Sequence, residues 1–76
     1  MKDIEIFTGP DCAHCEQAKS LLERHKLDYI ERDISKPGVI DEFRKRLPRS
    51  KALPQIFAEG IHLGSLEDLQ SRLKQP

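Results

Sequence analysis

Apolar residues recur along this chain at two different periods, and the switches between them mark out its elements. Asp3-Ile4-Glu5-Ile6-Phe7 alternates polar and apolar positions and stops at Thr8-Gly9-Pro10, which predicts a short strand and a turn. From 12 to 25 the period lengthens. Cys15, Ala18, Leu21 and Leu22 fall at helical spacing, with Glu16, Gln17, Lys19, Ser20, Glu23 and Arg24 between them, so a helix with one buried stripe is expected. Leu27 through Ile34 reads as a second strand. Ser35-Lys36-Pro37-Gly38 breaks the chain, and Ile40, Phe43 and Leu47 give a second helix from about Val39 to Leu47, its outer face carrying Arg44, Lys45 and Arg46. That basic cluster is either a solvated face or a surface that attracts an anionic partner.

Past the basic linker Arg49-Ser50-Lys51, Ala52 to Ala58 predicts a strand headed by Pro54, a position where a residue without an N–H is tolerated. Glu59-Gly60 turns it into a hairpin partner, Ile61-His62-Leu63, which Gly64 ends. Ser65-Leu66-Glu67-Asp68 has the pattern of a capping box and opens a last helix with Leu66, Leu69 and Leu73 inside. The order β-α-β-α-β-β-α makes this an α/β chain with a four-stranded mixed sheet flanked by helices. Its first two strands are parallel, joined as a right-handed βαβ unit.

Length and charge narrow the choices further. The 76 residues suit a single domain, 1–76, with a small core. Thirteen basic residues balance thirteen acidic ones, so no net field points to nucleic acid or a membrane surface. The start, Met1-Lys2-Asp3-Ile4-Glu5, lacks the apolar region of a secretory signal, and no apolar run approaches the ~18 residues that span a bilayer. A cytoplasmic, reducing location is the expectation.

Against that background the two cysteines carry the chemistry. Cys12 and Cys15 are the only ones in the chain, three apart, at the junction of the first strand and first helix. Asp11 is the candidate N-cap, which puts Cys12 at the helix N-terminus and Cys15 one turn later on the same face. Unpaired N–H groups and the helix dipole favour a thiolate there. As a structural staple the pair would close almost no loop, and no second Cys or Cys/His pair completes a zinc site. A redox dithiol is the reading, with two inert buried thiols as the alternative.

With these motifs in place the chain resembles the glutaredoxin family, on a thioredoxin fold, over nearly its whole length. The matching stretches are Thr8 to Leu22 around the Cys-x-x-Cys, Leu53-Pro54-Gln55-Ile56-Phe57, and His62 to Leu69. The resemblance implies that Cys12 is the nucleophile and Cys15 the resolving thiol. It also implies that Pro54 is cis and that Leu53 offers its backbone N–H and C=O to glutathione. The N–H groups near Leu66 and Glu67 would receive the γ-glutamyl carboxylate, and Asp68 would pair with the γ-glutamyl ammonium. Helix capping is the plainer role for Asp68, and an ordinary trans proline the plainer form of Pro54.

Some positions differ from the family pattern. Ala13 and His14 stand where proline and tyrosine are typical, and Ser65 replaces the second glycine of the usual pair. Gly9 lies where many members carry a lysine, which leaves recognition to Leu53 and the Leu66–Asp68 cap. His14 either assists glutathione binding when protonated or is a solvated helix residue, while His25 and His62 read as surface histidines. The expected activity is a glutathione-dependent thiol–disulfide exchange on glutathionylated or oxidised proteins. It needs no metal or organic cofactor, with glutathione as co-substrate and a monomer as the working form. Two alternatives stand beside it: a redoxin reduced by thioredoxin reductase, suggested by Gly9, and a dimeric glutathione-ligated [2Fe–2S] carrier, suggested by Ala13.

Overall fold

A computed structural model describes residues 1–74, so the last two positions of the expected 1–76 domain lie outside the described residues. The elements follow the expected order: β1 (Ile4–Thr8), α1 (Ala13–Arg24), β2 (Tyr29–Asp33), α2 (Val39–Arg46), β3 (Gln55–Ala58), β4 (Ile61–Gly64) and α3 (Leu66–Leu73). The strands form one mixed sheet in the order β2-β1-β3-β4, with β1–β2 parallel and the other two pairings antiparallel. No helix among the described residues is long and apolar enough to cross a membrane.

Position in the sheet explains the departures from simple alternation. β1 and β3 are the central strands and are covered on both faces, so Phe7 is buried beside Ile6, and all of β3 is buried. One face packs Ile4, Ile6, Ile56 and Ala58 against Ala18 and Leu22 of α1 and Leu66 and Leu69 of α3. The other stacks Phe7 edge-to-face on Phe43 of α2 and on Phe57, with ring centroids 5.2 and 5.9 Å apart. The expected strand starts at Leu27 and Ala52 shorten to Tyr29 and Gln55. The β1–β2 ladder begins where Tyr29 meets Ile4, and Ala52 to Pro54 form the approach to β3.

The basic face of α2 is also not what the pattern suggests. Arg46 is not an outward charge. It turns back to the sheet, pairs with the Glu5 carboxylate, and lies over the Phe57 and Phe7 rings at 5.2 and 5.7 Å. The Arg46 guanidinium holds the Glu5 carboxyl below its ordinary range. Arg44 and Lys45 remain exposed.

Candidate active site

The C-terminal end of β1 leads directly into the two cysteines. Thr8 is buried, and its hydroxyl donates to Glu31 Oε2 at 2.8 Å; Lys19 of α1 reaches the same oxygen at 3.1 Å and Glu16 at 2.8 Å. Glu16 and then Glu31 raise the Lys19 pKa and keep it charged. This network ties β1, β2 and the first turns of α1 together just before the chain crosses Gly9 and Pro10.

Asp11 is not the helix N-cap. It sits at φ +53, in the left-handed region where a short polar side chain is tolerated, and Cys12 takes the cap position instead. Cys12 has extended backbone (φ −113, ψ 99), and its own Sγ accepts the Cys15 N–H at 3.1 Å. The cap sulfur is therefore the nucleophile candidate itself, aimed at by a first-turn N–H. Cys12 and Cys15 are joined in a disulfide with their Cα atoms 5.2 Å apart. Cys12 is half-buried, whereas Cys15 is fully buried against the core. The arrangement can exchange electrons through an accessible outer sulfur backed by a sequestered inner one. Ala13 and His14 are exposed in the first turn.

Around this dithiol lie the other expected positions. The Leu53–Pro54 bond is cis, as the resemblance implied, and Pro54 is buried. A Cβ at Gly9 would come within 2.9 Å of Leu53 Cδ1 and 3.5 Å of Ile34 Cγ1, so these two side chains close over the backbone ahead of Cys12. From there a groove of about 380 Å³ runs along Ile34, Ile40, Phe43 and Leu53, with Arg44 and Lys51 on its rim.

At the start of α3, Ser65 is the N-cap of a capping box, as its sequence suggests. Asp68 Oδ2 accepts the Ser65 backbone N–H at 2.8 Å and its hydroxyl at 3.1 Å, and these two bonds hold its carboxyl below the ordinary range. Both bonds go to one oxygen of an exposed carboxylate, so Oδ1 takes no part in the cap. Leu66 anchors the helix in the core while Glu67 is exposed. Gly64, at φ +123, makes the close approach possible: a Cβ there would stand 2.2 Å from Asp68 Oδ2.

Two residues with no expected role join this surroundings. Gln55 is buried at the head of β3; its Nε2 donates to Ser50 Oγ and to the Ala52 carbonyl, each at 3.2 Å. His62 is exposed, as expected of a surface histidine, but it has partners: its Nε2 lies 2.8 Å from Gln55 Oε1 and its ring 5.0 Å from that of Phe57. The sequence signal was present, since Gln55 is a polar residue directly after a proline in an otherwise apolar buried run. Among the described residues no group of three or more His, Cys, Asp or Glu is placed to hold a metal ion.

Comparison with known proteins identifies the family. Residues 4–63 match the protein family described as Glutaredoxin. The chain is 34% identical to glutaredoxin 3 of Escherichia coli K12 over 70 residues, covering 91% of this chain and 83% of that one. It is also 34% identical to a glutaredoxin of Neisseria meningitidis serogroup B over 77 residues, 99% of this chain and 88% of the other. The solution structure of a glutaredoxin from Brucella melitensis superposes with a TM-score of 0.76 at 36% identity, covering 97% of this chain and 80% of that chain. The fold also matches a buckwheat glutaredoxin–glutathione complex with a TM-score of 0.81, at 18% identity, covering 93% of this chain and 67% of that one.

Proposed function

The chain belongs to the glutaredoxin family of thiol–disulfide oxidoreductases, and on that premise we propose that it reduces glutathione mixed disulfides and protein disulfides with glutathione as electron donor. The observation that carries this reading is the position of Cys12: a half-buried sulfur at the cap of α1, receiving the Cys15 N–H and bonded to a buried partner.

In the reduced protein, the helix N-terminus favours Cys12 as the thiolate. It attacks the glutathione sulfur of a mixed disulfide; the Cys12–glutathione bond forms and the substrate leaves as its thiolate. A second glutathione thiolate attacks the glutathione sulfur of that adduct, releasing glutathione disulfide and restoring the Cys12 thiolate. With a protein disulfide, Cys12 instead forms a bond to the protein, and Cys15 attacks Cys12 Sγ. That closes the Cys12–Cys15 disulfide and releases the reduced substrate, after which two glutathiones reopen the pair. The disulfide described above corresponds to that oxidised form.

Glutathione would lie along the backbone of Leu53, next to Pro54, as an added strand does. Its γ-glutamyl carboxylate would meet the N–H groups of Leu66 and Glu67 at the start of α3, and its ammonium would meet Asp68, with His14 near the thiol end. The solved glutathione complex of the buckwheat glutaredoxin supports glutathione as the ligand of this fold. In this reading the single domain works as a cytoplasmic monomer, needs no other cofactor, and serves glutathionylated or oxidised proteins.

Gly9 favours a second reading, a redoxin fed by thioredoxin reductase, because Leu53 and Ile34 rather than a cation occupy the space beside it. The glutathione dependence of turnover in Asp68→Asn tests the first reading. This variant keeps the shape and removes the charge. Because the carboxylate is exposed, the expected rise in KM for glutathione is modest, about three- to tenfold. An unchanged dependence in a well-folded Asp68→Asn protein would overturn the glutathione site and leave the reductase-fed redoxin.

A further inference from the structure

The peptide unit between Ala52 and Leu53 carries the N–H that the glutathione reading uses, and its orientation is set from the buried side. Gln55 is only 7% exposed, and its Nε2 donates to the Ala52 carbonyl. A carbonyl only accepts, so the amide nitrogen of Gln55 must face Ala52 and its Oε1 must face His62. That oxygen also only accepts. His62 therefore carries a proton on Nε2 and donates it across 2.8 Å, while Phe57 supports the ring. A single run of donors thus passes from the His62 ring on β4, through the Gln55 amide, to the Ala52 carbonyl.

The Leu53–Pro54 bond is the cis peptide of the described residues, so the Ala52–Leu53 bond is trans. Across a planar trans peptide, C=O and N–H point in opposite directions. Holding the Ala52 oxygen toward Gln55 therefore aims the Leu53 N–H to the other side, away from Gln55. Without that hold, rotation of the peptide unit would leave the donor misdirected part of the time, and apparent affinity falls with the competent fraction. We infer that Gln55, oriented by His62, is a positioning residue for glutathione: it aims the Leu53 N–H without touching either the ligand or the dithiol. This inference rests on the glutathione reading above.

Steady-state reduction of a glutathionylated peptide by the full chain, with KM and kcat for glutathione separated, tests it. Gln55→Met keeps the length but removes the donor and acceptor, and should raise KM about three- to tenfold with kcat at saturation within about twofold. His62→Phe keeps a ring on Phe57 but donates nothing, and should raise KM in the same direction by about two- to threefold. His62→Gln restores a donor and should bring KM back to within about twofold of the parent. An unchanged KM in Gln55→Met, or a loss of melting temperature with no change in KM, overturns the inference. Hydrogen exchange at the Leu53 amide separates the two readings. If the parent shows no glutathione dependence, the functional reading fails. The positioning of the peptide then stands only if Gln55→Met speeds exchange at Leu53 and not in β1.

Discussion

Replacing Gly64 by alanine should damage the protein twice, in ways that can be separated. The first cost is local. Gly64 is held at φ +123, a region that L-residues rarely occupy, and forcing a side chain there costs about 1–3 kcal/mol. In a domain of this size each kcal/mol moves the melting temperature by about 4–8 °C, so strain alone should lower it by roughly 5–20 °C. The second cost is steric. The new Cβ would stand 2.2 Å from Asp68 Oδ2 and 2.7 Å from its Cγ, so the carboxylate must swing off the Ser65 N–H and hydroxyl. That uncaps α3 and moves the group proposed to meet the γ-glutamyl ammonium. In an Asp68→Ala background the two nearest of these atoms are gone, leaving the Asp68 Cβ 3.1 Å away, and Gly64→Ala should cost measurably less there. Thermal melts of the parent, both single variants and the double variant close the cycle. A melting point within about 2 °C of the parent would refute the strain argument. An equal cost in both backgrounds would refute the steric one.

Cys12→Ser should abolish exchange, whereas Cys15→Ser should keep deglutathionylation because free glutathione can resolve the half-exposed Cys12 adduct; equal, complete loss in both would overturn their division of labour. The reduced Cys12 should titrate below the free-thiol value of ~8.5, because it caps the helix and receives the Cys15 N–H, as followed by thiolate absorbance. Asp11→Asn should lower it further. Asp11 is not the cap, so the change removes a nearby negative charge and leaves the N–H bond to Cys12 in place. Glu5 has a lowered carboxyl pKa in the folded state, so its pairing with Arg46 stabilises the fold above the unfolded value of ~4.3. That contribution is lost as pH falls through the folded value. Melts between pH 5 and 3 should fall more steeply for the parent than for Glu5→Gln, and parallel curves would count against the pair.

Much of this architecture was legible because hydrophobic periodicity and local turn chemistry agree along the chain. The capping box at Ser65 and Asp68 needed only local spacing, and so did the strand-to-helix junction that holds the cysteines. What escaped depends on contacts between distant segments. Arg46 lies on α2 with Arg44 and Lys45 and reads as one more exposed cation; only the sheet brings Glu5, Phe7 and Phe57 beneath it. Asp11 has the right identity for a cap, but the left-handed turn at its own backbone shifts the cap by one residue. The Gln55–His62 pair joins β3 to β4 across a register irregularity after Ile56, which no local pattern announces.

Gly9 shows how the two levels meet at the site. Read along the sequence, it is the absence of the cation that the family resemblance would place beside glutathione. In three dimensions it is a close approach, because any side chain there would begin 2.9 Å from Leu53 Cδ1 and 3.5 Å from Ile34 Cγ1. The identity of residue 9 is thus coupled to the side-chain position of Leu53, the residue whose backbone the proposed ligand uses. Leucine and isoleucine closing over a glycine replace a charge-assisted contact with apolar cover, and they leave the polar work to groups the backbone already fixes. In the proposed reading those groups are the Leu53 N–H, which Gln55 is inferred to aim, and the first turn of α3, held in shape by Asp68. Backbone donors carry no net charge, so apart from the Asp68 pairing glutathione recognition here should depend less on ionic strength than recognition through a lysine would.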